Sequence, residues 1–144
     1  MLDFILISGD RAIFNPIFGK AIVVVRPGFL TGTGIPTVNK KNICIDGDEK
    51  KVIVPGCSYT SPPFVIPGMG ILSIQSLAAN QKSKKVKSKG KVVLLKGNTF
   101  KAKFQVMVPA TQPTIPPIPP EPDTTLQYSG TGTFMTTNFR AKAT

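Results

Sequence analysis

The chain of 144 residues has no histidine, no tryptophan, two cysteines, and seven carboxylates against eighteen lysines and arginines. Each shortage removes a class of function. Without histidine, the commonest general base and metal ligand is missing. Three of the carboxylates, Asp46, Asp48 and Glu49, crowd one turn, whereas an acid–base pair must face a substrate across about 5–9 Å. They read as turn chemistry. The residue order of an EF-hand calcium loop is absent there, and no Gly-x-x-x-x-Gly-Lys-Ser/Thr phosphate loop occurs. No catalytic residue is assigned, and an enzyme is not expected. Two cysteines are too few for a disulfide scaffold. No apolar run approaches the roughly 18 residues of a membrane span. The opening MLDFILISGDR carries an acid before its apolar run and no basic region, so it reads as a first strand rather than a signal peptide. Cytoplasmic synthesis is expected.

Glycine and proline are plentiful, with 13 and 14 copies. Between residues 55 and 70 a breaker recurs every few positions in otherwise apolar sequence, which excludes a helix and predicts extended pieces joined by tight bends. The expected fold class is all-β, a small compact structure of short strands and hairpins. One domain over 1–144 is expected, with a β core at 1–108, a proline-rich extended strap at 109–123, and a C-terminal strand or hairpin at 124–144 that packs back on the core.

Several runs read as strands. Phe4-Ile5-Leu6-Ile7 is short and continuous, and Ala12-Ile13-Phe14 follows it. Residues 21–25, with three consecutive valines, predict a strand buried on both faces. A hairpin is expected from Ile43-Cys44-Ile45 and Val52-Ile53-Val54 around the Asp46–Glu49 turn. Residues 70–77 are expected to be extended. A second hairpin is expected from Val92-Val93-Leu94-Leu95 through Lys96-Gly97-Asn98 into a return strand. That strand alternates, with Phe100, Ala102, Phe104, Val106 and Val108 on one face and Lys101, Lys103 and Gln105 on the other. The tail from Leu126 to Phe139 reads as a last strand or hairpin.

Two features remain as site candidates. Cys44 and Cys57 read either as a small core residue and a turn residue, or as ligands of a metal shared with another chain, since a structural zinc needs four ligands. A disulfide between them is sterically conceivable but disfavoured in a reducing compartment. The second is the lysine segment, Lys82, Lys84, Lys85, Lys87, Lys89 and Lys91, in a stretch from 50 to 120 without one acid. It reads as a solvated loop between strands, or as a contact for an acidic partner or anionic lipid. Nucleic acid fits less well, because the cluster is lysine rather than arginine and holds no aromatic for stacking. A formal charge of +11 keeps an anionic partner in view.

Ile43-Cys44-Ile45-Asp46-Gly47 and Val92-Val93-Leu94-Leu95-Lys96-Gly97 share a form: a β-branched run, then glycine in a tight turn. With Gly32-Thr33-Gly34-Ile35-Pro36 upstream and Val54-Pro55-Gly56-Cys57 between, the chain resembles the PAAR-like spike-tip proteins of contractile injection systems, phage-tail-like particles and type VI secretion relatives. The resemblance covers roughly residues 1–108. It implies a conical β-fold that caps and sharpens a trimeric, VgrG-like β-helical spike and helps to pierce a target envelope. Assembly into the particle, ejection on contraction, effector cargo and transient contact with a target membrane follow from the same likeness. Many members hold a structural metal near the apex through histidines and a cysteine. This chain has no histidine, so only Cys57 and Cys44 could continue that site, and either the tip is metal-free or its ligand set differs. No other cofactor is implied. The alternative from a different class is a small basic β module that binds nucleic acid, an acidic protein or an anionic membrane surface through residues 82–91.

Overall fold

A computed structural model describes residues 3–38, 40–115, 118–138 and 141–143. Within them the regular structure is strand, with two short 3₁₀ turns at Asp48–Lys51 and Ala79–Gln81. The dominant element is one curled sheet. In spatial order it runs Ile17–Phe18, Ala21–Val23, Ile53–Ser61, Phe64–Ser76, Thr99–Val108, Gln127–Met135, Arg11–Phe14 and Gly28–Phe29. Its two edge strands, Ile17–Phe18 and Gly28–Phe29, belong to one stretch of chain and pair with Ala21–Val23 and Arg11–Phe14. The sheet curls into a half-barrel.

The long Thr99–Val108 strand explains the core. Phe100, Ala102 and Phe104 point inward and are fully buried, while Lys101 and Gln105 stay in solvent. Val106 is partly buried, but Val108 is 56% exposed, because the register against Phe64–Ser76 shifts between Val106 and Val108 and turns the last residue outward. The aromatic rings form two groups along this strand, a spine in two parts. Phe100 meets Phe14 edge-on at 5.5 Å and Phe134 at 4.9 Å, and Phe104 meets Tyr59 at 5.1 Å and Phe18 at 6.1 Å. Backbone without side chains makes room for them. A Cβ on Gly132 would come within 2.5 Å of the Phe100 ring, so only glycine fits beneath it.

Several expectations need correction. Ala21–Val23 is not buried on both faces: Ala21 and Val23 face the core while Ile22 and Val24 are exposed. Its partner pairs it through the outer wall of the curl, which has solvent on one side. The two proposed hairpins do not form. Ile53–Ser61 pairs with Phe64–Ser76 through a turn at Pro62-Pro63, so the 3₁₀ turn after Asp46-Gly47 carries the chain away from residues 43–45. Lys91–Leu94 pairs backwards with Lys82–Ser88, so the lysine segment is a strand rather than a loop, and Thr99–Val108 finds Phe64–Ser76 and Gln127–Met135 instead. Cys57 sits in a strand, not a turn.

The extended reading of 70–77 holds and lengthens, because Phe64–Ser76 is one strand of 13 residues. The tail supplies the Gln127–Met135 strand at the centre of the sheet and a short Lys142–Ala143 strand paired with Asp3–Phe4. Phe139, at the end of the expected tail strand, lies outside the described residues.

The strap is tied down at both of its ends. Thr111–Gln112 pairs with Glu121–Pro122, and the Asp123 amide donates to the Ala110 carbonyl at 2.8 Å. The Asp123 carboxylate is buried and accepts from Tyr128 Oη at 2.5 Å, Tyr59 Oη at 3.0 Å and the Thr125 amide at 2.9 Å. Tyr59 Oη in turn accepts the Ala110 amide at 2.9 Å. Burial alone would raise the Asp123 pKa, but these hydrogen bonds outweigh it and hold the carboxyl below its ordinary value. Burial pushes Tyr59 up to about 12, so its proton stays available for donation.

The folded pKa of Asp123 lies below the unfolded one. Its contribution is therefore complete above the ordinary carboxylate pKa and is lost as pH falls through the lowered folded value. Glu49, raised chiefly by burial, works in the opposite direction. The expected result is a difference: melting temperature of the wild type falls more steeply below pH 4 (about the ordinary carboxylate pKa) than that of Asp123→Asn. Parallel melting curves down to pH 3 would show that Asp123 does not latch the strap.

Candidate functional site

The most informative feature lies where the strands of the sheet converge. Residues 5–7, 43–45 and 93–95 meet as three antiparallel bridges, Ile5 with Leu95, Ile7 with Ile43, and Ile45 with Val93. Their hydrogen bonds close a ring. The Leu6 amide donates to the Leu94 carbonyl at 3.0 Å, Leu94 to Cys44 at 2.9 Å, and Cys44 to Leu6 at 2.8 Å. A second cyclic set surrounds the first: Ser8 donates to Asn42, Asp46 to Val92, and Lys96 to Phe4, at 2.8, 2.8 and 2.9 Å. Each segment thus gives to one neighbour what it receives from the other. One chain has built a pseudo-threefold axis.

The sequence basis is a pattern of alternating burial followed by glycine. At the central position Leu6, Cys44 and Leu94 are fully buried in the main core. The flanking Ile5, Ile7, Ile43, Ile45, Val93 and Leu95 point the other way and form a second, smaller apolar cluster with Ala143. Two positions after each ring strand comes Gly9, Gly47 or Gly97, all with positive φ, at 90°, 103° and 54°. An L side chain is disfavoured there, so glycine lets all three segments make the same turn. In two copies the next residue is a buried aspartate that folds back on the ring strand. Asp10 Oδ2 accepts the Ile7 amide at 2.8 Å, and Asp48 Oδ2 accepts the Ile45 amide at 2.9 Å. In the third copy Asn98 is exposed, and the equivalent Leu95 amide donates to the Gln81 carbonyl at 2.9 Å.

Each ring strand is entered from a two-stranded arm. Asp3–Phe4 pairs with Lys142–Ala143, Thr37–Val38 with Lys41–Asn42, and Lys82–Ser88 with Lys91–Leu94. Each segment then leaves into the sheet, as Arg11–Phe14, Ile53–Ser61 and Thr99–Val108. The molecule therefore has a ring end with three arms, and a far end made of the 15–20 turn, the Pro62-Pro63 turn and the strap.

The sequence-level site residues fall as follows. Lys84, Lys85, Lys87, Lys89 and Lys91 are exposed on the third arm, with Lys89 at φ 53° in its turn. Lys82 is half-buried and pairs with Asp46 at 3.3 Å, the one ion pair among the described residues. Cys44 and Cys57 are both free thiols buried in the main core. Burial pushes the Cys44 pKa strongly up, and the nearby Asp48, Asp10 and Glu49 add to that, so a metal-binding thiolate is disfavoured there. Cys57 Sγ lies 3.7 Å from the Val54 carbonyl. Among the described residues no three cysteine or carboxylate side chains gather as metal ligands. This donor set does not fit a resident metal. Ile5-Leu6-Ile7-Ser8-Gly9-Asp10 is a third copy of the pattern, identical to Ile43-Cys44-Ile45-Asp46-Gly47-Asp48 at four of six positions. The shared x-Gly-Asp ending is its signal in the sequence.

The family model for contractile injection system spike tip proteins matches residues 1–144. The chain belongs to that family. No curated protein matches it. The spike-tip assignment makes this a structural component associated with the central spike of an injection system. The PAAR-like expectation and the all-β class both stand. Among the described residues, no helix of this spike-tip protein is long and apolar enough to cross a membrane.

Proposed function

We propose that one copy of this spike-tip protein caps a trimeric, VgrG-like β-helical spike, with its pseudo-threefold axis along the spike axis. The closed ring of residues 6, 44 and 94 carries this reading. A single asymmetric chain on a trimer would satisfy one subunit and leave two unmatched. Three near-equivalent segments let it meet all three at once, which resolves the symmetry mismatch. The role is mechanical rather than catalytic. Cross-strand pairing, the aromatic spine and proline-stiffened turns lower the conformational freedom of the tip, and sheath contraction would drive that tip through the target envelope.

The test is stoichiometry. Quantitative mass spectrometry of particles from cells that make this chain should give one tip chain per three spike chains. Three tips per spike trimer, or no tip chain on particles, would reject the reading.

A further inference from the structure

Charge is divided between the two ends of the molecule. Residues 52–81 and 104–120, which build much of the far end, contain no charged side chain. All three arms at the ring end carry exposed lysine: Lys142 on the first, Lys40 and Lys41 on the second, and the 84–91 group on the third. Little on the chain itself neutralises them. Asp10, Asp48, Glu49 and Asp123 are buried, Asp46 is engaged by Lys82, and Asp3 accepts the Phe4 and Gly97 amides. Glu121 is exposed, but it lies in the strap at the far end.

We infer that the ring end is the face that docks, and that its lysine arms grip carboxylates presented in three equivalent sets at the end of the spike. This rests on the spike-tip reading above and adds the orientation and the chemistry of the partner. Three arms around one axis suit a threefold acidic surface, whose repeats place a carboxylate opposite each arm. A lipid headgroup surface has no such periodicity and would need only one arm. Single exposed ion pairs contribute little, about 0.2–1 kcal/mol each, but three arms engaged together act as linked sites on one partner. The far end, where Lys20 and Glu121 are exposed as one charge of each sign, is thereby left to lead. Its exposed Val65, Ile66, Met107, Val108, Ile115 and Leu126 carry no charge into an apolar layer, where each charged group would be costly.

The experiment uses isolated particles carrying the full-length chain. One variant reverses charge on every arm: Lys40→Glu, Lys84→Glu, Lys87→Glu and Lys142→Glu. A control reverses Lys20 and Lys101, exposed on the far-end turn and the sheet wall. Thermal melting first establishes that both are folded. Retention on particles after a salt wash is then measured, alongside binding to vesicles containing phosphatidylglycerol.

Wild type and control should stay on particles in about 0.1 M salt and loosen toward 1 M, as screening shortens from about 10 to about 3 Å. The arm variant should be retained about tenfold less, a loss of about 1.4 kcal/mol. A folded arm variant retained like wild type would overturn the docking face while leaving the spike-tip role intact. So would loss of vesicle binding with particle retention unchanged, which would assign the lysines to anionic lipid. Wild type absent from particles at every salt concentration would remove the spike-tip reading itself, and the docking face with it.

Discussion

Phe104→Ala is expected to destabilise the fold by about 3–5 kcal/mol, the range for removing a buried aromatic ring. The reasons are local. Phe104 is fully buried at the centre of the longest cross-strand register, opposite Leu72 on one side and Tyr128 on the other. Its ring contacts those of Tyr59 and Phe18. It also covers Gly70, where a Cβ would approach the ring to 2.5 Å. Truncation would leave a cavity over backbone, with no side chain on Gly70 to fill it. Tyr59 leans on the same ring while holding Ala110 and Asp123, so the strap should loosen with the core. Since domains of this size are stable by about 5–15 kcal/mol, the variant is expected to unfold at much lower urea with little change in slope. A loss below about 1 kcal/mol would mean that the sheet curls without the aromatic spine.

The second large effect concerns the two buried aspartates of the ring. Asp48 accepts the Ile45 amide at 2.9 Å, the Thr33 amide at 3.1 Å and the Thr33 hydroxyl at 2.9 Å. Asp10 does the same work in its own copy, taking the Ile7 amide at 2.8 Å, the Thr136 hydroxyl at 2.6 Å and the Thr137 amide at 3.0 Å. Replacing either by alanine strands two backbone donors. At about 1–3 kcal/mol for each group left unsatisfied, Asp10→Ala and Asp48→Ala should each cost roughly 2–6 kcal/mol. Asn98→Ala is the internal comparison. Asn98 occupies the corresponding position but is exposed, and the Leu95 amide is served by Gln81, so a change within about 0.5 kcal/mol is expected, as for ordinary surface substitutions. Urea unfolding of the three variants side by side decides the matter. Equal losses at all three positions would show that the aspartates act through the turn alone and not through their buried partners.

The two effects protect different parts of the molecule. The aromatic spine holds the sheet that forms the far end, and the aspartates hold the ring from which the arms project. Both ends are tied to the same three outgoing strands.

Strand identity was legible wherever it depended on near neighbours. The alternation from Phe100 to Phe104, the extended run ending at Ser76, and the turn residues around Gly47 and Gly97 follow from a period of two and from glycine's freedom at positive φ. Composition alone excluded helices and histidine chemistry, and four short segments were enough to suggest the family. Partner choice was not legible, because pairing is non-local. Residues 43–45 lie closer in sequence to 52–54 than to 5–7 or 93–95, yet the ring closes because three cyclic hydrogen bonds satisfy what one hairpin would leave open. The lysine segment has the composition of a loop. It becomes a strand because Lys91–Leu94 lies beside it and buries Ser83 and Ser88. The gathering of lysine at one end appears only once the fold brings residues 40, 84–91 and 142 to three arms around a pseudo-threefold axis. Local chemistry set the elements and their turns. Long-range closure, where each of three segments completes the other two, decided the architecture and the face it offers.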